Sequence, residues 1–231
     1  MNSMELAWAT LSTPSAAFKE LRERPRFALP LALTLIGTMI VLAWYYSFVD
    51  FEWLRDHLLN ANQRMRQMSE QQRERAMAGM SRTVILWSSV IGAAVFTLVI
   101  HLISAAYYSL AGKITNVQYT FKHWFSLSCW LALPHLFGIV SMVLFLLFAD
   151  THQIGSEELQ LLSLNELFFH RKIGEPGFAL LSNLTLLHPW AWALGVLAIR
   201  LWSGRSWPFS ALFALLPAIV LYGVWIVLAF R

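Results

Sequence analysis

Ionisable or nucleophilic side chains inside apolar runs are the first place to look for chemistry, because placing them there costs free energy that a role must offset. This chain has few. His101 lies in the uncharged run from Thr83 to Leu110, Cys129 and His135 in the uncharged run from Trp124 to Ala149, and Asn183 and Arg200 near the two ends of a third run, 183–202. Two histidines on neighbouring runs could supply two metal ligands or a proton relay, but either chemistry calls for a third ligand or a carboxylate, and these runs contain no Asp or Glu. The expected role of His101 and His135 is therefore hydrogen-bonded packing. Arg200 is close enough to the end of its run to extend its charge out to the interface. Cys129, the only cysteine, excludes an internal disulfide and a cysteine-based metal site and reads as a small buried hydrophobe. No HExxH, GxSxG, glycine-rich phosphate loop or CxxC occurs, so the reading is non-enzymatic, with no catalytic, cofactor-binding or metal residues and no cofactor.

The elements that carry these residues are membrane helices. Of 231 residues 58% are hydrophobic and 13% charged, and the mean hydropathy is +0.55, which excludes an ordinary soluble domain. The run from Thr83 to Leu110 would extend about 42 Å as a helix, more than the ~30 Å hydrocarbon core. The expected fold is all-α: a polytopic bundle of five transmembrane helices at about 27–49, 83–110, 124–149, 183–202 and 208–230. Trp44, Tyr45, Tyr46 and Phe48, then Trp190 and Trp192, then Trp202 and Trp207 mark interfaces. Pro134 removes a backbone donor inside the third span and predicts a kink at or just before Leu133. Small residues at fourfold spacing (Ser88 and Gly92; Ala191 and Gly195; Ser210, Ala214 and Ala218) would let helices pack closely.

Outside the spans, residues 1–26 read as a cytoplasmic amphipathic segment and not as a cleaved secretory signal. Thr13 and Pro14 can start a helix whose Ala17, Phe18 and Leu21 share one face, expected to lie on the membrane surface. In the loop 50–82, Phe51, Leu54, Leu58, Ala61, Met65 and Met68 recur at steps of three and four. This predicts a helical extramembrane loop, bent near Asn60 to Asn62. Phe51, Leu54, Leu58, Met65 and Met68 then form either a docking surface for a partner or a cap in which the methionines cover Leu54 and Leu58. Residues 150–177 carry five acids against two bases, with a brief helix through Leu161, Leu164 and Phe168 expected to be capped at Ser156 and closed at 174–177. The charge count nearly ties between the two sides; the unbalanced bases of the short connections, Lys113 with Lys122 and Arg200 with Arg205, place the amino terminus in the cytoplasm and the carboxyl terminus opposite. Because the bases sit at span ends, the formal charge of +4 does not point to nucleic acid.

Three stretches carry a family likeness: TPSAAFKELRERPRFALPL (Thr13 to Leu31), YYSLAGKITNVQYTFKHWFSLSCWLALPHLFGIV (Tyr107 to Val140) and SLNEL (Ser163 to Leu167). Together they resemble the bacterial branch of the YIP family, Ypt/Rab-GTPase-interacting membrane proteins with five spans and a cytoplasmic amino-terminal segment. Gly112, a following Phe such as Phe121, and Pro134 are among its recurring features. The resemblance implies a bacterial inner-membrane location. Eukaryotic relatives are implied to bind Rab-type GTPases in vesicle traffic, whereas bacterial ones look like accessory subunits, sometimes beside ABC-type exporters. The expected function is a non-enzymatic membrane scaffold or accessory subunit; the alternative is a small transporter or lipid-handling protein with a polar site formed by His101, Asn183 and His135. Expected partners are membrane lipids and a membrane protein or a second copy of the chain.

Overall fold

A computed structural model describes residues 1–61 and 68–230, apart from the side chains of Arg73 and Ala76. Met65 and Asn62 lie outside the described residues. The helices are α1 (Ser3–Ser12), α2 (Pro14–Glu23), α3 (Ala28–Phe48), α4 (Phe51–Ala61), α5 (Glu70–Gly79), α6 (Arg82–Thr115), α7 (Phe121–Leu131), α8 (Leu136–Leu147), α9 (Phe178–Asn183), α10 (Leu187–Ser203) and α11 (Trp207–Ala229). Among the described residues the only β feature is an isolated antiparallel bridge between Ser163 and Thr185. Among the described residues, four helical stretches are long and apolar enough to cross a bilayer: Ala28–Phe48, Arg82–Thr115, Phe121–Leu147 and Trp207–Ala229. The expected span at 183–202 is shorter than the sequence suggests. Its helix, α10, starts at Leu187 and has 17 residues, about 25 Å at 1.5 Å per residue. The late start has a cause: Leu164 N–H donates to the Leu184 carbonyl at 2.8 Å and Leu186 N–H to the Leu162 carbonyl at 3.0 Å, which holds 184–186 extended.

The chain forms two compact units. The first comprises 1–37, 95–137 and 187–225. Its amino-terminal helices were only half legible in the sequence. α1, which lies within the expected amphipathic segment 1–26 but ahead of the helix expected at Pro14, is opened by a reciprocal cap in which Asn2 Oδ1 accepts from Glu5 N–H at 2.8 Å and Glu5 Oε2 accepts from Asn2 N–H at 2.9 Å. α2 does begin at Pro14, but its Ala17, Phe18 and Leu21 are each 0% exposed. That face is covered by the chain's own core, which gathers Trp124, Trp130, Trp202, Tyr108 and Phe213. Trp202 Nε1–H donates to the Phe18 carbonyl at 2.8 Å, so the helix is docked through its backbone as well as its side chains. The break between α2 and α3 is held from α7: the Arg26 carbonyl accepts from Ser126 Oγ at 2.6 Å and from Trp130 Nε1.

Pro134 sits in a 3₁₀ turn, Leu133–His135, between α7 and α8. The α7 ladder ends with Ala132 N–H donating to the Cys129 carbonyl at 3.3 Å, and His135 N–H then donates to the Ala132 carbonyl at 2.9 Å. The tighter i to i+3 pattern absorbs the donor that proline lacks.

The second unit comprises 38–94, 138–186 and 226–231. Its core holds Val41, Tyr45, Leu54, Leu146, Ile154 and Leu159. Asp50 opens α4 by accepting from Glu52 N–H at 3.1 Å and Trp53 N–H at 3.2 Å. The helix expected at 156–168 is replaced by turns at 156–159 and one wide turn at Asn165–Phe169. In that turn His170 N–H reaches back to the Asn165 carbonyl at 2.7 Å, while the Asn165 side chain holds both N–H (2.9 Å) and C=O (3.0 Å) of Arg171. A side chain that competes for backbone groups in this way disfavours a regular helix.

Gly112 is a position closed to a larger side chain by backbone. α6 ends with Asn116 in the left-handed region (φ 60°) and Val117 N–H bonded to the Gly112 carbonyl at 2.9 Å, the six-to-one bond of a Schellman end. A Cβ at Gly112 would lie 2.5 Å from the Val117 carbonyl oxygen and 3.1 Å from Trp124. In an unhindered helix Gly→Ala gains about 1 kcal/mol. Here we expect Gly112→Ala to lose about 1–3 kcal/mol, the usual cost of overpacking, read as a lowered unfolding midpoint in detergent. A raised midpoint would show that the space is not closed.

Candidate functional site

Polar side chains gather within each unit. In the first, His135 leaves the 3₁₀ turn with its ring edge-on to His188, centroids 4.9 Å apart and 87° between planes. His188, on the first turn of α10, also faces Trp192 at 5.8 Å and Tyr222 at 5.8 Å. Trp192 and Tyr222 meet each other at 5.8 Å, completing an aromatic enclosure. His135 Nδ1 is buried with no hydrogen-bond partner. His101, from the same unit, is 6% exposed; its ring stands edge-on to Phe125 at 6.4 Å, and its carbonyl accepts from Ser128 Oγ at 3.4 Å. Thus the ring that His135 meets belongs to His188, a residue the sequence reading passed over. The signal was present: His188 lies in an apolar run, four residues before Trp192.

Asn183 is the third member of the polar site expected from the sequence. It ends the short helix α9, is exposed, and its side-chain amide donates to the Ala179 carbonyl of its own helix at 2.8 Å. It belongs to the second unit, His135 to the first. Arg200 turns back on its own connection, donating to the Arg205 carbonyl and lying 5.8 Å over the Trp207 ring. Cys129 is buried.

The second gathering is an open cleft of about 440 Å³ between α4 and the segment 157–178. His57 and Asn60 line one side; Glu157, Glu158, Asn165, Glu166, His170, Arg171 and Lys172 line the rest. His57 Nε2 and Glu157 Oε1 are 2.6 Å apart, and the imidazole is stacked on Trp53 (4.8 Å, 12°). The other carboxylate oxygen, Glu157 Oε2, is buried without a partner. Glu158 is already committed, accepting from Gly155 N–H at 2.7 Å. An imidazole–carboxylate pair can orient a proton, but the lining has no Ser, Thr or Cys to act as a nucleophile. Among the described residues no group of three or more His, Cys, Asp or Glu is placed to hold a metal. His57 and Glu157 are 100 residues apart, so only the tertiary structure could pair them.

The residues expected to dock a partner have separate fates. Leu54 is 0% exposed in the core of its unit, and Leu58 packs against that core. Phe51 carries Arg82 over its ring at 5.6 Å. Met68 is exposed, and Met65 is outside the described residues.

Four long apolar helices with histidines packed between aromatic rings define the class as a polytopic helical integral membrane protein. The Yip1 domain family matches residues 8–228, nearly the whole chain, and the protein belongs to that family. Neither a curated protein nor a solved structure matches the chain.

If the histidine rings are packing groups that hold each other, their effects are coupled. In a cycle of His135→Ala and His188→Ala we expect each change to lower stability in detergent and the pair to show a coupling of about 0.5–1.5 kcal/mol. Additive losses would show that the two rings act independently.

Proposed function

We propose that this Yip1-domain protein is a non-enzymatic scaffold or accessory subunit of a membrane complex, with five spans, a cytoplasmic amino terminus and a carboxyl terminus on the opposite side. The observation that carries the scaffold reading is the uncovered length of α6. Along it Trp87 (56% exposed), Ile91, Phe96, Leu102 and Ile103 all point away from the chain's own core, and a Cβ at Gly92 would meet nothing within 4 Å. Contact area of this kind suits lipid and partner helices. The His101 and His135 rings, by contrast, are packed edge-on against other rings of the chain. An ABC-type exporter in a bacterial inner membrane is the partner class that the family resemblance suggests.

The fifth crossing is α10. Its leading residues, 184–186, are hydrogen-bonded to Leu162 and Leu164, in the segment that follows the carboxyl end of the span Phe121–Leu147. Its trailing end is tied to the approach to that same span. Tyr119 O–H donates to the Trp202 carbonyl at 2.9 Å, and Arg205 donates to the Thr115 carbonyl at 2.6 Å. The 17 residues of α10 are at the lower limit for crossing the hydrocarbon core. The orientation rests on charge: residues 1–26, the connection 111–123 and the Arg200–Arg205 end hold eight bases to three acids.

Two measurements test this. In a Cys129→Ser background, Ser206→Cys is expected to be labelled from the same side as the amino terminus and Gln71→Cys from the other; labelling of Ser206→Cys from the side of Gln71→Cys would reduce the spans to four. For the scaffold role, purification in gentle detergent is expected to retain a membrane-protein partner or a second copy, and Gly92→Leu on the uncovered face is expected to release it from a still-folded chain. Retention undiminished by Gly92→Leu would remove α6 as the contact.

A further inference from the structure

The first unit brings together three basic segments that are far apart in sequence. Trp202 Nε1–H donates to the Phe18 carbonyl at 2.8 Å and Arg22 to the Leu201 carbonyl at 3.2 Å, joining α2 to the end of α10. Arg205 bonds the Thr115 carbonyl and Tyr119 the Trp202 carbonyl, joining that end to the connection between α6 and α7. The exposed side chains of Lys19, Arg22, Arg24, Lys113, Lys122 and Arg205 thereby belong to one assembly. Of the three acids in the same unit two are committed, and the third, Glu23, is exposed beside Arg22 and Arg24. Glu20 lies 2.8 Å from Arg26 and 3.7 Å from the terminal amine, and Glu5 closes the cap of α1. Lys113 occupies the last turn of α6 and Lys122 the first turn of α7, the ends of two spans. Beside them are exposed apolar groups, Ile114 (83%), Phe121 and Trp207.

We propose that this assembly is a docking surface for the headgroups of anionic phospholipids. Cations at the ends of spans sit at headgroup depth, where the phosphates of the leaflet are their nearest counter-ions. Exposed aromatic and aliphatic side chains next to them match the boundary between headgroup and acyl chain. A basic surface made for an acidic protein has no need of apolar side chains beside the cations at span ends. The surface follows from the membrane location alone and holds whichever side of the membrane it faces.

The test uses the full chain in a neutral detergent, with its unfolding midpoint read after adding phosphatidylglycerol, phosphatidylcholine or inorganic phosphate. Phosphatidylglycerol is expected to raise the midpoint at least about twofold more than phosphatidylcholine, because a ligand of the folded state stabilises by mass action, and inorganic phosphate to leave it unchanged. The triple variant Arg24→Gln, Lys113→Gln, Lys122→Gln removes three exposed cations. It is expected to keep its midpoint in detergent and lose most of the phosphatidylglycerol response, whereas Arg75→Gln with Lys172→Gln, in the other unit, retains it. Should the triple variant fail to fold, native mass spectrometry of the three single variants is expected to show reduced retention of phosphatidylglycerol in each. Equal responses to the two lipids, the result for a surface built for an acidic protein, overturn the proposal. So do a response reproduced by inorganic phosphate and variants that keep full lipid retention.

Discussion

A carbonyl freed at the end of a helix in or near hydrocarbon has little water to turn to, and each one left unpaired costs several kcal/mol. Much of this structure answers that constraint. The end of α3 is met by Arg82, which donates to the carbonyls of Tyr46 and Ser47 at 2.7 and 3.1 Å, and by His152, whose Nδ1 lies 2.7 Å from the Phe48 carbonyl. α6 is met by Arg205 at Thr115, and α10 by Arg22 at Leu201 and Tyr119 at Trp202. The break before α3 is met by Ser126 and Trp130 at Arg26. Long donors from neighbouring segments fix where each helix stops, and in doing so bind those segments together.

The same constraint accounts for residue types that a hydropathy reading treats as orientation signals or interface markers. Arg82 and Arg205 act as caps as well as charges. Trp202 fills the core with its indole and spends its single N–H on the Phe18 carbonyl, which fastens an amino-terminal helix that would otherwise present Phe18 and Leu21 to the membrane surface. Tyr45, one of four aromatic residues at the end of α3, is fully buried and donates to the Ile154 carbonyl at 2.9 Å. A belt residue at the end of a span and a core residue with a polar tip look alike in sequence; they differ in whether another segment covers them.

Polar residues within the spans follow a related logic. The His101 ring stands edge-on to Phe125, and the His135 ring edge-on to His188, which also faces Trp192 and Tyr222. In the cleft of the second unit His57 is matched directly to Glu157. A carboxylate and an imidazole can face each other there because α4 and the segment 157–178 lie beyond the ends of the long apolar helices.

By itself the sequence determined the class, the family and the membrane location of the long helices, because uncharged runs and their lengths are local properties that a bilayer reads directly. It also determined that Pro134 interrupts regular helix, since a missing donor is a property of one residue. Only the tertiary structure decided what covers each amphipathic face. Ala17, Phe18 and Leu21 have the pattern of a surface helix yet face Trp202 and Trp124, and Leu54 has the pattern of a docking stripe yet fills its own unit's core. Periodicity says that a face must be buried and leaves open against what, since lipid, partner and self satisfy the same pattern. The pairing of His57 with Glu157 and of His135 with His188 was illegible for the same reason. Proximity between residues far apart in the chain is set by how the helices pack, and single-residue chemistry carries no record of it.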